Sequence, residues 1–261
     1  MDDTGRGEPL LLVHGLGTDR GVWRPATAEL AARRRVLALD LPGFGESEAV
    51  GGGFSLDDAA DAVAAAAGER VDGPLDLVGH SLGGAVSVRL AGRHRELVRR
   101  LVLFAPAGLA PRPALLAAAL SAGAPPFLAA RRLIGRPVAA SATARRAMLF
   151  GAVHDGRRMS PADARALLNA SRGAKAMRPA AWVGITADLR QEIDRLDCAL
   201  GLMWGESDLV VPARIREHVA RRRSDLPLET IPAAGHVAQA ERPREFVAAL
   251  ERLLEQMPVT V

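Results

Sequence analysis

Leu75-Asp76-Leu77-Val78-Gly79-His80-Ser81-Leu82-Gly83-Gly84 is the stretch on which the fold turns. Its first half is an apolar run rich in branched side chains, the mark of a buried strand. The run passes straight into Gly79-His80-Ser81-Leu82-Gly83, after which Ala85, Val86, Val88, Leu90 and Ala91 recur at helical spacing as far as Gly92. A strand delivered into a helix through Gly-x-Ser-x-Gly fits a nucleophile elbow. That turn holds its serine in a strained backbone conformation, with the hydroxyl above the sheet edge. Glycines flank the serine because strand and helix pass too close there for a Cβ. The same letters also suit an ordinary tight turn, where Gly and Ser are common. The rest of the chain separates the two readings.

At 261 residues the chain can bury one large core and still carry an inserted subdomain. Hydrophobic residues are 49% and charged residues 25%, which fits a soluble globular protein. Cys198 is the sole cysteine, so an intramolecular disulfide is excluded. The longest apolar candidate for a membrane span, Leu115 to Leu133, is broken by Pro125 and Pro126 and ends in Arg131-Arg132. The opening Met1-Asp2-Asp3-Thr4-Gly5-Arg6 is acidic, unlike the basic start of a signal peptide. A cytoplasmic protein is expected. Net charge is +4 and the only lysine is Lys175, so nearly every cation is arginine. Runs such as Arg33-Arg34-Arg35, Arg99-Arg100 and Arg221-Arg222-Arg223 are scattered and interleaved with Asp and Glu. A nucleic-acid surface would be one concentrated patch with aromatics to stack on; aromatics are only 3% here and tyrosine is absent. The arginines therefore read as solvated surface, with no nucleic-acid partner.

Strands and helices alternate along the chain. Pro9 to His14 reads as a buried strand followed by Gly15-Leu16-Gly17, Val22 to Ala32 as a helix, and Val36 to Leu39 as a second strand. Leu56 to Ala67 is a helix opened by Ser55, with Asp57 and Asp58 in its first turn, where acids suit the helix dipole. After the elbow unit comes the strand Leu101 to Phe104. This rhythm implies right-handed crossovers and a mostly parallel sheet covered on both faces. From about Leu109 the strand signal stops, and a Pro-punctuated, Ala-, Leu- and Arg-rich stretch predicts an all-helical insertion. The α/β rhythm then resumes with strands at Ala199–Trp204 and Pro227–Ile231, a helix at Ile215–Arg222, and a closing helix at Phe246–Leu254 with Pro243 at its first turn. The expected organisation is a core of residues 1–108 and 196–261 with an insertion at 109–195.

Five motifs then fall in order: His14-Gly15-Leu16-Gly17, Asp40-Leu41-Pro42-Gly43-Phe44-Gly45-Glu46-Ser47, the elbow at Ser81, Gly205-Glu206-Ser207-Asp208, and Gly235-His236. Each lies at the carboxyl end of a predicted strand or in the loop after it, the edge where open parallel sheets bind ligands. On these motifs the chain resembles the α/β-hydrolase fold superfamily everywhere outside the insertion, and is similar to serine esterases and lipases that carry a helical cap. The resemblance implies a nucleophile at Ser81, activated by a base because a serine hydroxyl is weak alone. It implies His236 as that base and Asp208 as the acid that orients it. The backbone N–H groups of Leu16 and Leu82 would form the oxyanion hole. The chain order Ser, Asp, His is the one this fold uses. No metal-binding or cofactor motif is found, and none is expected.

Each role has rivals in the sequence. Asp188, Asp194 and Asp197 read as surface, Glu206 as solvated, His14 as packed under the oxyanion loop, and His80 as pinned beside the nucleophile but directed elsewhere. His94, His154 and His218 sit in polar contexts, and Cys198 reads as inert packing. Gly15-x-Gly17-x-x-x-Gly21 followed by Asp40 mimics a dinucleotide fingerprint, but Leu41-Pro42-Gly43-Phe44-Gly45 fits the hydrolase turn, and a short-chain dehydrogenase would need a tyrosine. A non-catalytic binding protein on the same scaffold is a further alternative.

Ser81 itself narrows the chemistry, since haloalkane dehalogenases and epoxide hydrolases of this superfamily place Asp at the elbow. What remains is acyl transfer to water from an ester, lactone or thioester of a small hydrophobic substrate. A biosynthetic thioesterase or acyltransferase of narrow specificity could use the same triad. So could a carbon–carbon bond hydrolase, although those relatives usually carry Trp after the histidine and Asn before the serine, where this chain has Val237 and His80. The insertion would be a cap lined by Leu115, Leu116, Leu120, Phe127, Leu128, Leu133, Met148, Leu149, Phe150, Leu167, Leu168, Met177 and Trp182, with Arg145 or Arg178 able to grip a substrate carboxylate. Similar proteins precede the first strand with an antiparallel hairpin, of which Gly5 to Pro9 looks like the end. The hairpin is shortened, so the Val36–Leu39 strand is expected at or near an open edge. An open edge invites pairing, and a homodimer through it is the corresponding expectation.

Overall fold

A computed structural model of the protein describes residues 1–51, 53–109, 118–120, 122–123, 137–170 and 174–257. A seven-stranded sheet organises them, in the order β1-β3-β2-β4-β5-β6-β7. The strands are β1 (Asp2–Thr4), β2 (Pro9–Val13), β3 (Arg35–Leu39), β4 (Leu75–His80), β5 (Val98–Phe104), β6 (Ala199–Gly205) and β7 (Leu228–Ile231). Every pairing is parallel except that of β1 with β3. β4 is buried along its whole length, as an apolar strand sandwiched between helix layers must be.

The flanking helices are α1 (Arg24–Ala31), α2 (Leu56–Gly68) and α3 (Leu82–Arg93), then α4 (Ala142–Met148), α5 (Pro161–Asn169), α6 (Met177–Thr186) and α7 (Arg190–Ile193), and finally α8 (Ala213–Arg222), α9 (Ala238–Glu241) and α10 (Pro243–Gln256). α2 packs on α3 over β4 and β5, while α1 packs on α10, which lies along β5 to β7. Ser55 caps α2 by accepting from the Asp58 amide. Between β5 and β6 the described residues hold α4 to α7 and an isolated bridge between Phe150 and Val153, as the loss of strand signal after Leu109 implies.

Three expectations need correction. The helix expected over Val22–Ala32 is split into a 3-10 turn at Arg20–Trp23 and α1, because Pro25 lacks an amide hydrogen and suits only a first turn. Val36–Leu39 is near the sheet edge but not on it: the edge strand β1 pairs with it in the register Asp2 to Ala38 and Thr4 to Val36. Asp3 accepts from Arg35 and Asp2 from Arg20, so the outer strand is short, charged and blunted against further pairing. The ground for a homodimer through the β3 edge is thereby removed.

Nor are all the arginines solvated surface. β5 begins at Val98, and its Arg100 sits opposite Asp76 of β4. Asp76 is fully buried, and Arg34, Arg99 and Arg100 all donate to it at 2.5–3.1 Å. Burial opposes ionisation of this carboxyl, but Arg100 and Arg99 outweigh it and hold it below the usual carboxylate range. These arginines are structural rather than solvated. Asp76→Asn leaves three cations around a neutral amide and should cost about 3–5 kcal/mol in urea unfolding. A loss below about 1 kcal/mol, the range of an exposed ion pair, would contradict this account.

Candidate active site

Ser81 joins β4 to α3 with φ 54° and ψ −117°, a conformation that L-residues rarely adopt. Its amide donates to Phe104 O at 3.0 Å, and its carbonyl accepts from Gly84 and Ala107 at 3.0 and 2.9 Å. The strain is therefore held by the surrounding backbone. A Cβ on Gly83 would collide with the carbonyl oxygens of Val13 and His14, and one on Gly79 with Ser87 Oγ. This is the close passage of strand and helix that the glycine pattern implied.

Asp208 and His236, each in the loop after a strand, are both buried. His236 Nδ1 lies 2.7 Å from Asp208 Oδ2, and the other carboxylate oxygen accepts from the Val210 and Val211 amides at 2.8 Å each. Nδ1 donating to a carboxylate leaves Nε2 of a neutral imidazole as an acceptor. His236 and Ser81 line the same cavity; the described residues include no hydrogen bond between them. Such contacts often tighten only when substrate binds.

The cavity has a volume of about 600 Å³ and is also lined by Leu16 and Leu82, the residues whose amides were assigned to the oxyanion hole. Leu82 opens α3, so its amide has no partner one turn back within the helix. Among the described residues no Asp, Glu, Lys or Arg lines the cavity; Leu109, Leu120, Leu167, Ile185, Val211 and Ile215 supply most of an apolar wall.

Two further histidines brace the site. His80 is buried, stacked on Phe104 at 4.8 Å and 4.6 Å from the His236 ring. Its Nε2 donates to the His236 carbonyl at 2.9 Å. Burial first, then the neighbouring His236, hold it well below the ordinary histidine range. His14 accepts the Leu41 amide at Nε2 (3.0 Å) and donates from Nδ1 to Gly15 O (2.9 Å), tying the Gly15–Gly17 loop to the loop after β3. Burial lowers its pKa from 6.5 to about 4. The unfolded chain thus binds a proton between pH 6.5 and 4 that the folded chain refuses. Stability is full above 6.5 and falls as the pH drops toward 4, by about 3 kcal/mol for His14 alone. His80 acts with the same sign. Urea midpoints at pH 7, 5.5 and 4.5 check this, and a flat series would contradict it.

Asp40 accepts from the Arg20 and Glu46 amides at 2.8 and 3.0 Å and pairs with the Arg20 guanidinium, which agrees with the hydrolase-turn reading of that loop over a ribose-binding one. Other expected roles change. Arg145 is buried and donates to the carbonyls of Ala139, Gly156 and Arg157; it is a structural brace, not a carboxylate grip. Glu206 is exposed, as expected, and also accepts the Ala233 amide at 2.9 Å. Of the cap residues, Leu120 and Leu167 line the cavity, whereas Leu149, Leu168 and Met177 pack in the core and Phe150 and Trp182 are exposed. Leu115, Leu116, Phe127, Leu128 and Leu133, and the side chain of His218, lie outside the described residues. Cys198 is half-buried, and burial pushes its thiol up to about 11, which suits inert packing. Sequence reasoning missed Glu241. It accepts the Gly235 amide at 2.8 Å and lies five residues past His236, a spacing visible in the sequence.

A strained serine at a strand-to-helix turn, in one cavity with the histidine of an Asp–His pair at the carboxyl edge of a parallel sheet, fits the α/β-hydrolase class. Residues 10–250 match the alpha/beta hydrolase family, and the chain belongs to it. It is 30% identical over 269 residues to a pimeloyl-[acyl-carrier protein] methyl ester esterase from Chromobacterium violaceum, covering 98% of this chain and 97% of that protein. It is 46% identical over 103 residues to the dihydrolipoyllysine-residue acetyltransferase component of the acetoin cleaving system of Pseudomonas putida, a match that spans 40% of this chain and only 28% of that relative. A thermophilic esterase from Thermogutta terrifontis superposes with a TM-score of 0.73 at 25% identity, over 98% of this chain and 92% of that one. No helix among the described residues is long and apolar enough to cross a membrane.

Proposed function

We propose that the protein is a serine hydrolase that cleaves a carboxylic ester of a small, largely hydrophobic substrate. Ser81 Oγ attacks the ester carbonyl as His236 Nε2 takes its proton. The carbonyl electrons move to oxygen, which the Leu16 and Leu82 amides stabilise. Collapse expels the alcohol, which receives the proton from His236 and leaves an acyl-Ser81. Water then attacks the acyl group with His236 again as base, releasing the acid and restoring Ser81. Asp208 keeps the imidazole in the tautomer with a bare Nε2 and stabilises the imidazolium. In this reading the insertion is a cap over residues 109–195 that shapes the acyl pocket.

One observation carries the reading: the 2.7 Å Asp208–His236 hydrogen bond shares a cavity with the strained Ser81. The uncharged wall supports a neutral, apolar acyl group, and the methyl ester esterase that this chain resembles along nearly its whole length supports ester cleavage. p-Nitrophenyl esters from acetate to dodecanoate test it. The value of kcat/KM should rise roughly fourfold per methylene, the worth of one buried CH₂, until the chain outgrows the cavity. A folded protein that turns over none of these esters would redirect the reading to a carbon–carbon bond hydrolase or a binding protein.

A further inference from the structure

The loops bearing Asp208 and His236 are not held by the sheet alone. Residues 151–155, between α4 and α5, touch both. Gly151 O accepts the Leu209 amide at 3.4 Å, beside the acid, and His154 Nδ1 lies 2.8 Å from Ser207 Oγ. Ala152 O accepts the Val237 amide at 3.2 Å, beside the base. The packing is close enough that a Cβ on Gly235 would sit 2.5 Å from Val153 Cα. Glu241 completes the staple. One carboxylate oxygen accepts the Gly235 amide and the other the Asp155 amide, both at 2.8 Å. A carboxylate is acceptor-only and satisfies two amides at once, which an amide side chain of the same shape cannot do.

We infer that Glu241 is a positioning residue that locks the insertion segment 151–155 onto the His236 loop and so sets the alignment of the Asp208–His236 pair. The inference rests on the acyl-transfer reading above. It makes the rate of chemistry, not substrate affinity, depend on how the insertion is seated. A small displacement of the imidazole from its line to the serine is enough to lower the rate steeply.

Glu241→Gln keeps the size of the side chain but turns an N–H toward one of the two amides. The kcat for a p-nitrophenyl ester should fall about 10- to 100-fold, with KM within about threefold of wild type. The same substitution is then made in Asp208→Asn, where the pair is already disabled. A residue that acts through the pair has little left to lose, so E241Q should there cost less than about threefold. An equal loss in both backgrounds, or no loss in wild type, would overturn the inference. D208N within tenfold of wild type would also overturn the inference, because the pair would then not carry the rate; full activity of Ser81→Ala would instead overturn the acyl-transfer reading beneath it. If E241Q fails to fold by circular dichroism, His154→Ala, which removes the bond to Ser207, replaces it in the same cycle with the same expected non-additivity.

Discussion

Ser81→Ala should lower kcat for ester hydrolysis by about 10⁶-fold while leaving the protein folded. Without Oγ no acyl-enzyme can form, and the amides of Leu16 and Leu82 can stabilise only direct attack by water, which retains a small part of the acceleration. The fold should tolerate the change. Alanine keeps the Cβ, the cavity gains little space, and the turn is held by backbone bonds to the Phe104 carbonyl and from the Gly84 and Ala107 amides that do not involve the hydroxyl. Steady-state rates beside a thermal melt decide it. Retention of more than about one part in a hundred of the rate would show that the serine is not the nucleophile.

Asp208→Asn should lower kcat by about 10⁴-fold with little change in KM. Oδ1 of Asp208 accepts two amides, from Val210 and Val211, so an asparagine will keep its oxygen there. Its NH₂ then faces His236 Nδ1, where the carboxylate oxygen now lies at 2.7 Å. An N–H donor at that position selects the tautomer with the hydrogen on Nε2, which cannot accept the serine proton. The geometry survives and the chemistry fails. A variant within tenfold of wild type would mean that His236 is oriented by something other than Asp208.

Much of this was legible in the sequence because single residues carry unambiguous physics. The apolar run of β4, the glycines that no Cβ could replace and the order Ser81, Asp208, His236 place three side chains at one sheet edge. What was not legible depended on partners distant in sequence. Arg34, Arg99 and Arg100 read as surface until the fold set them around Asp76, Arg99 and Arg100 through the pairing of β4 with β5 and Arg34 from the loop before β3. Arg145 looked like a cation free to bind substrate, yet its guanidinium is used up by backbone carbonyls. Residues Asp2–Thr4 were too short and too acidic to suggest a strand, and form one only because β3 offers an edge. The cap residues failed in a different way. Helical spacing shows which side chains are apolar, but not whether a given helix faces the cavity, the core or solvent.

The central claim is that Ser81 is an activated nucleophile in an apolar cavity. A fluorophosphonate probe tests it most directly, because only a serine with a base and an oxyanion hole displaces the fluoride at a useful rate. Intact mass followed by peptide mapping should show one adduct per chain, on Ser81, with ester turnover lost in proportion. Labelling should be slowed severely in Asp208→Asn. An adduct on another serine, or ester turnover that persists in unlabelled protein after prolonged exposure, would contradict the account.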